Sequence, residues 1–213
     1  MRAVMVAGAS LSNGLDPATL AAADVLVAVD GGAEALVRIG VMPSLLVGDM
    51  DSIAPETREV LEQQGVEVVL LPTAKDETDT EVGLRMLVDR GMDDITLYGA
   101  LGGPRLDHLV GNLLLLSAPW LAEVTVRLVD ERHEVFLVKG DARFEGEPGD
   151  LVSLLALTPE VEEVRTEGLK YALDGESLYQ SAGRALSNVM TGREARVTHG
   201  EGVLLLIYYR GRQ

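Results

Sequence analysis

From the N-terminus to about residue 130, short apolar runs alternate with stretches of helical periodicity. The runs at 3–6, 25–29, 45–47, 66–71, 95–98 and 124–129 are rich in aliphatic residues and read as strands. The segments 17–23, 33–39, 55–64, 80–90 and 106–116 lie between them and read as amphipathic helices. Near-continuous apolar strands are buried on both faces, so residues 1–130 predict a parallel sheet clothed by helices, a Rossmann-like α/β domain. After Asp130 the texture changes. Strand-like segments at 134–138, 143–145, 151–157, 162–166, 195–198 and 203–209 follow without a useful helical pattern between them. Turn signals such as Lys139-Gly140-Asp141, Glu147-Pro148-Gly149-Asp150 and Gly200-Glu201-Gly202 punctuate them. Residues 131–213 therefore predict an all-β sandwich domain.

Charge narrows the functional classes. The 213 residues carry 18 Lys and Arg against 34 Asp and Glu, a formal net charge of −16. Nonspecific nucleic-acid or anionic-membrane binding requires a basic surface, so neither is expected. A phosphate-bearing ligand stays compatible, because a metal ion and a few basic side chains neutralise it locally. Cysteine is absent, which excludes disulfides and thiolate chemistry and suits the cytoplasm. No apolar run approaches the roughly 20 residues that span a bilayer.

The chemistry collects where the predicted strands end. In open α/β sheets ligands bind beyond the carboxyl ends of the strands. The second strand runs into Asp30-Gly31-Gly32, where glycines allow close backbone approach and the following helix offers N–H groups to an anion. The third runs into Gly48-Asp49-Met50-Asp51-Ser52. If strand pairing continues to Asp51, Asp49 and Asp51 share a face and reach one ion. Two hard oxygen ligands with no His or Cys nearby suit Mg2+. The fourth leads to Lys75-Asp76-Glu77-Thr78-Asp79, whose acids can equally be helix-capping residues. The fifth leads to Gly99-Ala100-Leu101-Gly102-Gly103-Pro104-Arg105-Leu106-Asp107-His108. So many like charges along one sheet edge repel one another, and a divalent cation with a polyphosphate relieves that repulsion. The Walker phosphate loop and the kinase glycine-rich loop are both missing.

These ordered clusters resemble the thiamine pyrophosphokinase (thiamine diphosphokinase) family. The segments Gly168-Leu169-Lys170-Tyr171-x-Leu173 and Gly183-x-x-x-Ser187-Asn188 are similar to that family's β-domain segments, so the resemblance runs from about residue 28 to 207. It implies an α/β domain followed by a β-sandwich, a homodimer, and conversion of ATP and thiamine to AMP and thiamine diphosphate with Mg2+. It implies Asp49, Asp51 and Asp79 as metal ligands, which with Arg105 form the candidate catalytic set. Lys75 and Arg105 become contacts to the ATP phosphates. Asp30, Gly31, Gly32, Asp76, Thr78, Asp107 and His108 join the nucleotide-binding set, with Asp107 orienting Arg105. Ser187 and Asn188 become contacts to thiamine, supplied by the partner subunit. Two departures stand out. Pro104 adds a residue to the usual Gly-Gly-Arg spacing. Some members stack thiamine on a tryptophan near the Ser-Asn pair, whereas here the only tryptophan is Trp120; Tyr171, Tyr179 and His199 are open as substitutes.

The residues therefore point to diphosphate transfer, with phosphate charge offset by a metal and basic side chains. A diphosphokinase for another hydroxymethyl heterocycle, such as a pterin, would share the clusters. A nucleotide-sugar glycosyltransferase accounts for Asp49 and Asp51 but not for the Lys75–Asp79 or Arg105 segments. A non-catalytic binding module has no need of the full acidic set.

Overall fold

The computed structural model describes residues 1–8 and 14–211. The chain forms two compact units, Met1–Glu131 and Arg132–Gln213. No helix among the described residues is long and apolar enough to cross a membrane.

The first unit is built from β1 (Arg2–Val6), α1 (Pro17–Ala21), β2 (Val25–Val29), α2 (Gly32–Arg38), β3 (Leu45–Gly48), α3 (Pro55–Gln63), β4 (Glu67–Leu70), α4 (Asp79–Asp89), β5 (Asp94–Tyr98), α5 (Leu106–Leu115), a 3-10 turn (Pro119–Leu121) and β6 (Thr125–Val129). The strands lie in the order β6-β5-β1-β2-β3-β4, and every pairing among them is parallel. Side chains alternate across the sheet, so β1 and β2 bury both of their faces. Val4, Val6, Leu26, Ala28 and Leu46 share one core with Leu20 of α1, Leu36 of α2 and Leu61 of α3. On the opposite face α4 closes over Met5 and Val29, and a Cβ on Gly83 would meet the Met5 sulfur at 2.9 Å. Each fully buried aliphatic side chain contributes roughly 1.5–3 kcal/mol.

The helices begin where the local chemistry allows. Asp16 caps α1 by accepting from the N–H groups of Ala18 and Thr19, both at 3.1 Å, with Pro17 at the first helical position. Thr78 caps α4 by accepting from the Glu81 N–H at 3.1 Å.

The second unit contains β7 (His133–Val138), β8 (Asp141–Glu145), β9 (Leu151–Ala156), β10 (Glu160–Glu167), β11 (Asp174–Tyr179), β12 (Asn188–Val189), β13 (Glu194–Thr198) and β14 (Leu204–Tyr209). Antiparallel pairing gives the order β12-β9-β14-β7 in one sheet and β11-β10-β13-β8 in the other. Val152, Leu154, Leu204 and Leu206 from the first sheet pack with Val161, Val164, Leu178 and Val197 from the second. Two of these strands escape periodicity. β11 buries only Leu178 along an otherwise polar, glycine-containing run, as an edge strand can. β12 is two residues long.

Candidate active site

The order of the first unit's sheet puts β1 between β2 and β5. The chain steps outward from β1 through β2, β3 and β4, then returns to the other side of β1 as β5. A crevice is expected at such a reversal, beyond the carboxyl ends of the strands. A cleft of about 290 Å3 occupies that place, lined by Ala7, Gly8, Asp30, Ser52, Thr78, Asp79, Thr80, the 102–105 loop, His108 and Asn112.

Asp30 follows β2 with a left-handed backbone, φ +45°. Its carboxylate fits because residue 48 is glycine: a Cβ there would lie 1.7 Å from Asp30 Oδ1. That oxygen is buried and has no hydrogen-bond partner. Burial, and then the charges of Asp79, Asp49 and Asp51, push the Asp30 carboxyl up to about 7.

Asp49 and Asp51 meet by a route that differs from strand alternation. Pairing stops at Gly48, and Met50 turns left-handed with φ +66°. The Asp51 N–H donates to Asp49 Oδ1 at 3.1 Å, so a side-chain-closed turn holds the two acids together. The neighbouring Asp49 charge, and to a lesser degree Asp79, raises the Asp51 pKa, while Lys75 opposes the rise.

Asp79 begins α4, and Lys75 Nζ stands 3.0 Å from its Oδ1. The ammonium is a charge partner: it approaches that buried oxygen without hydrogen-bond directionality. Thr78 joins the cleft wall while capping α4, whereas Asp76 is exposed and lies outside the wall.

Arg105 and Asp107 form a fork, Nε donating to Oδ1 at 2.9 Å and Nη2 to Oδ2. The Arg105 guanidinium holds the Asp107 carboxyl down to about 2. Pro104 lines the cleft beside them, and both forked side chains are exposed. His108 follows in the first turn of α5.

The glycines after Asp30 serve packing more than ligand approach. A Cβ on Gly32 would fall 2.0 Å from the Val6 carbonyl oxygen, so glycine lets α2 sit against β1. The Gly31 N–H donates to Ser52 Oγ at 3.1 Å, and those of Ala33 and Glu34 donate to the carbonyls of Asp30 and Gly31. These groups are already engaged, in contrast to the anion-ready helix start expected from Asp30-Gly31-Gly32.

Ala7, Gly8, Thr80 and Asn112 also line the cleft, unsignalled by any charged cluster. Asn112 had a legible signal: it lies four residues after His108 on the same helix. Its Nδ2 donates to the Ala100 carbonyl at 3.1 Å and ties α5 to the loop after β5.

In the second unit, Ser187 is exposed and left-handed, φ +56°, with its N–H donating to Ser153 Oγ at 3.0 Å. Asn188 is buried, and its amide bonds the backbone of Tyr171. His199 has Nδ1 2.8 Å from the Gly200 carbonyl and Nε2 2.8 Å from the Val138 carbonyl, so its ring is tied to backbone. Trp120 lies in the first unit with the Arg85 guanidinium 4.5 Å from its ring centre.

Asp30 and Asp79 line the cleft, whereas Asp49, Asp51 and Lys75 lie outside its wall; the four acids together suit a hard divalent cation. Their donors are all carboxylate oxygens, two of them lack hydrogen bonds, and they repel one another. Among the described residues no three acid or histidine side chains already converge as a metal cage.

The sequence matches two family models in succession. Residues 17–128 match the thiamin pyrophosphokinase catalytic domain, and residues 139–204 match the thiamin pyrophosphokinase vitamin B1 binding domain. The chain belongs to the thiamin pyrophosphokinase family. It is 25% identical over 183 residues to the thiamine pyrophosphokinase of Bacillus subtilis, covering 85% of each chain. Thiamine pyrophosphokinase 1 of Oryza sativa subsp. japonica is 27% identical over 185 residues, covering 82% of this chain and 69% of that one. A crystal structure of a thiamin pyrophosphokinase family protein from Enterococcus faecalis superposes with a TM-score of 0.85 at 28% identity, covering all of both chains. Membership of the thiamin pyrophosphokinase family favours neither the pterin-directed nor the glycosyltransferase alternative.

Asp30 carries a pH signature. Its carboxyl is raised by folding from 3.8 to about 7, so the native chain holds this proton more tightly than the unfolded chain. Its contribution to stability is largest below the unfolded value and is lost as pH climbs through the folded one. In metal-free buffer, Asp30→Asn should therefore gain thermal stability relative to the parent as pH rises from 4 to 8. Melting curves whose difference does not change with pH would show that Asp30 ionises as an ordinary surface acid.

Proposed function

We propose that this protein transfers the diphosphate group of ATP to the hydroxyl of thiamine, yielding thiamine diphosphate and AMP. The observation that carries this reading is the succession of a catalytic-domain match and a vitamin B1-binding-domain match along one chain, with the acidic cleft inside the first. In the reaction the thiamine oxygen bonds to the β-phosphorus of ATP. The bond from that phosphorus to the bridging oxygen breaks, AMP departs, and the hydroxyl proton is released.

Each residue then has a definite task. Lys75 and Arg105 bind phosphate oxygens, and Asp107 fixes the plane of the Arg105 fork. Asp30, Thr78, His108 and the Gly31-Gly32 turn shape the nucleotide side of the cleft, with Asp76 at its margin. The cofactor is Mg2+, held by Asp49, Asp51 and Asp79; when bound it neutralises phosphate charge and fixes the polyphosphate for in-line attack. Lys75 must then shift its ammonium from Asp79 toward the phosphates. Ser187 and Asn188 contact thiamine from the second unit of the partner subunit.

In this reading residues 1–130 form a Rossmann-like nucleotide-binding catalytic domain, and residues 131–213 form a thiamine-binding sandwich. The sheet order around β1 and the core shared by the two antiparallel sheets support those labels. The enzyme works in the cytoplasm, which a cysteine-free chain suits. It works as a homodimer. Support comes from α5, which buries none of its residues and exposes Leu106, Val110 and Leu114 at four-residue spacing along one face.

Two outcomes are expected. AMP should appear from ATP and Mg2+ only when thiamine is added, and Asp51→Asn or Asp79→Asn should lower kcat/KM by about 100-fold or more. A coupled AMP assay with a pterin alcohol and other alcohols as controls decides it; equal turnover on the controls, or full activity in both variants, overturns the reading. Sedimentation should give a dimer for the parent and a monomer for Val110→Glu, and identical mass in both removes α5 from any interface.

A further inference from the structure

The loop between β3 and α3, residues 49–54, carries Asp49 and Asp51 and is fastened at its far end to α2. The Ala54 N–H donates to Glu34 Oε1 at 2.8 Å, a bond between residues 20 apart in the chain. Two residues before Ala54, Ser52 Oγ accepts from the Gly31 N–H at 3.1 Å. Between these bonds Ile53 is 8% exposed and shares a core with Ala33 and Leu36 of α2. The start of α2 therefore grips residues 52, 53 and 54 in turn.

Glu34 completes the start of α3 from another helix. Ala54 is the N-cap of α3; its side chain makes no cap bond, and its carbonyl accepts from the Arg58 N–H at 3.1 Å. In a capping box, the residue three places into the helix reaches back to accept the N-cap N–H. Thr57 occupies that place, and the bond comes instead from Glu34 on α2. An ionised acceptor makes such a bond roughly twice as strong as a neutral one. An acid in the first turn of α2 is ordinarily explained by the helix dipole. The dipole alone leaves its side chain free to face solvent, whereas Glu34 turns to the 49–54 loop. The other end of that loop needs support, because Met50 is left-handed with φ +66°. A non-glycine residue keeps that conformation only where its surroundings over-determine it. The bonds to Glu34 and Gly31 supply the constraint from downstream.

We infer that Glu34 is a positioning residue for the cation: by capping α3 from α2, it fixes the loop on which Asp49 and Asp51 stand. The inference rests on the diphosphotransfer reading above, in which those acids hold Mg2+, and deepens it. Mg2+ demands near-ideal octahedral geometry, so two acids one residue apart serve it only while the turn between them keeps its shape. Loosening residues 52–54 lets Met50 relax and lets the two acids, whose charges repel, move apart. The loss then falls on metal affinity. Binding of the acceptor alcohol, which the proposed reaction assigns to the second unit, is spared.

Two measurements on the full-length protein test it. One is calorimetric titration of Mg2+ with a non-hydrolysable ATP analogue present; the other is steady-state kinetics with Mg2+ and thiamine varied separately. Glu34→Ala should weaken Mg2+ binding about tenfold and raise the half-saturating Mg2+ concentration in step, with KM for thiamine within about twofold of the parent. Glu34→Gln keeps the reach and an acceptor oxygen without the charge, and should bind Mg2+ within about threefold of the parent. Glu34→Asp keeps the charge but loses a methylene of reach, and should resemble Glu34→Ala. A lower melting temperature in Glu34→Ala with unchanged Mg2+ affinity overturns the inference, since the cap then serves only the fold. Equal losses in Glu34→Gln and Glu34→Ala also overturn it, since charge rather than the cap is then responsible. Should Glu34→Ala fail to fold, the comparison of Glu34→Gln with Glu34→Asp decides alone. A parent that binds no Mg2+ overturns the inference outright. A parent that binds Mg2+ with the analogue yet releases no AMP with thiamine refutes the diphosphotransfer reading instead, and the titrations still judge Glu34.

Discussion

Four carboxylates gathered at one edge of a parallel sheet impose the constraint on which the catalytic half of this chain depends. Asp30, Asp49, Asp51 and Asp79 come from two strand ends and a helix start, and the crowded charges raise the proton affinity of Asp30 and Asp51. The fold accommodates the crowding by partial means: protonation of Asp30 near neutral pH, one ammonium from Lys75 on Asp79, and a turn closed by Asp49. None of these satisfies Asp30 Oδ1, which is buried without a hydrogen bond. Unsatisfied buried acceptors are uncommon in folded proteins and call for a partner. A divalent cation carrying a polyphosphate meets that need, and membership of the thiamin pyrophosphokinase family is in accord with it.

The second unit solves a different problem. Its segment from Gly168 to Leu173 is fixed by backbone bonds and one buried amide, with little charge involved. In the proposed reaction the two units divide the work physically: electrostatics serves the phosphate end, and the fixed backbone of the second unit serves the acceptor end.

Much of this was legible in the residues, for reasons that differ by element. β2 and β3 announce themselves as unbroken apolar runs because both faces of the sheet are covered. The clusters after them are legible because a strand that stops at Asp or Gly has few structural reasons to place acids there. β11 was missed because an edge strand needs only one buried side chain, Leu178, and so carries no alternation. The geometry of Asp49 and Asp51 was misjudged because the left-handed turn falls on Met50, a residue type that gives no turn signal. The bonds of Asn188 to Tyr171, 17 residues away, are invisible in the sequence because they exist only once the chain has folded.

In the proposed reaction the acid cluster is held in readiness for a cation and its nucleotide, with Asp30 storing a proton that the complex expels. Calorimetric titration of Mg2+ with a non-hydrolysable ATP analogue at pH 7, in buffers of different ionisation enthalpy, counts that proton directly. Release of about half a proton per site in the parent beyond that seen in Asp30→Asn is expected. Equal proton release in the two proteins would contradict it.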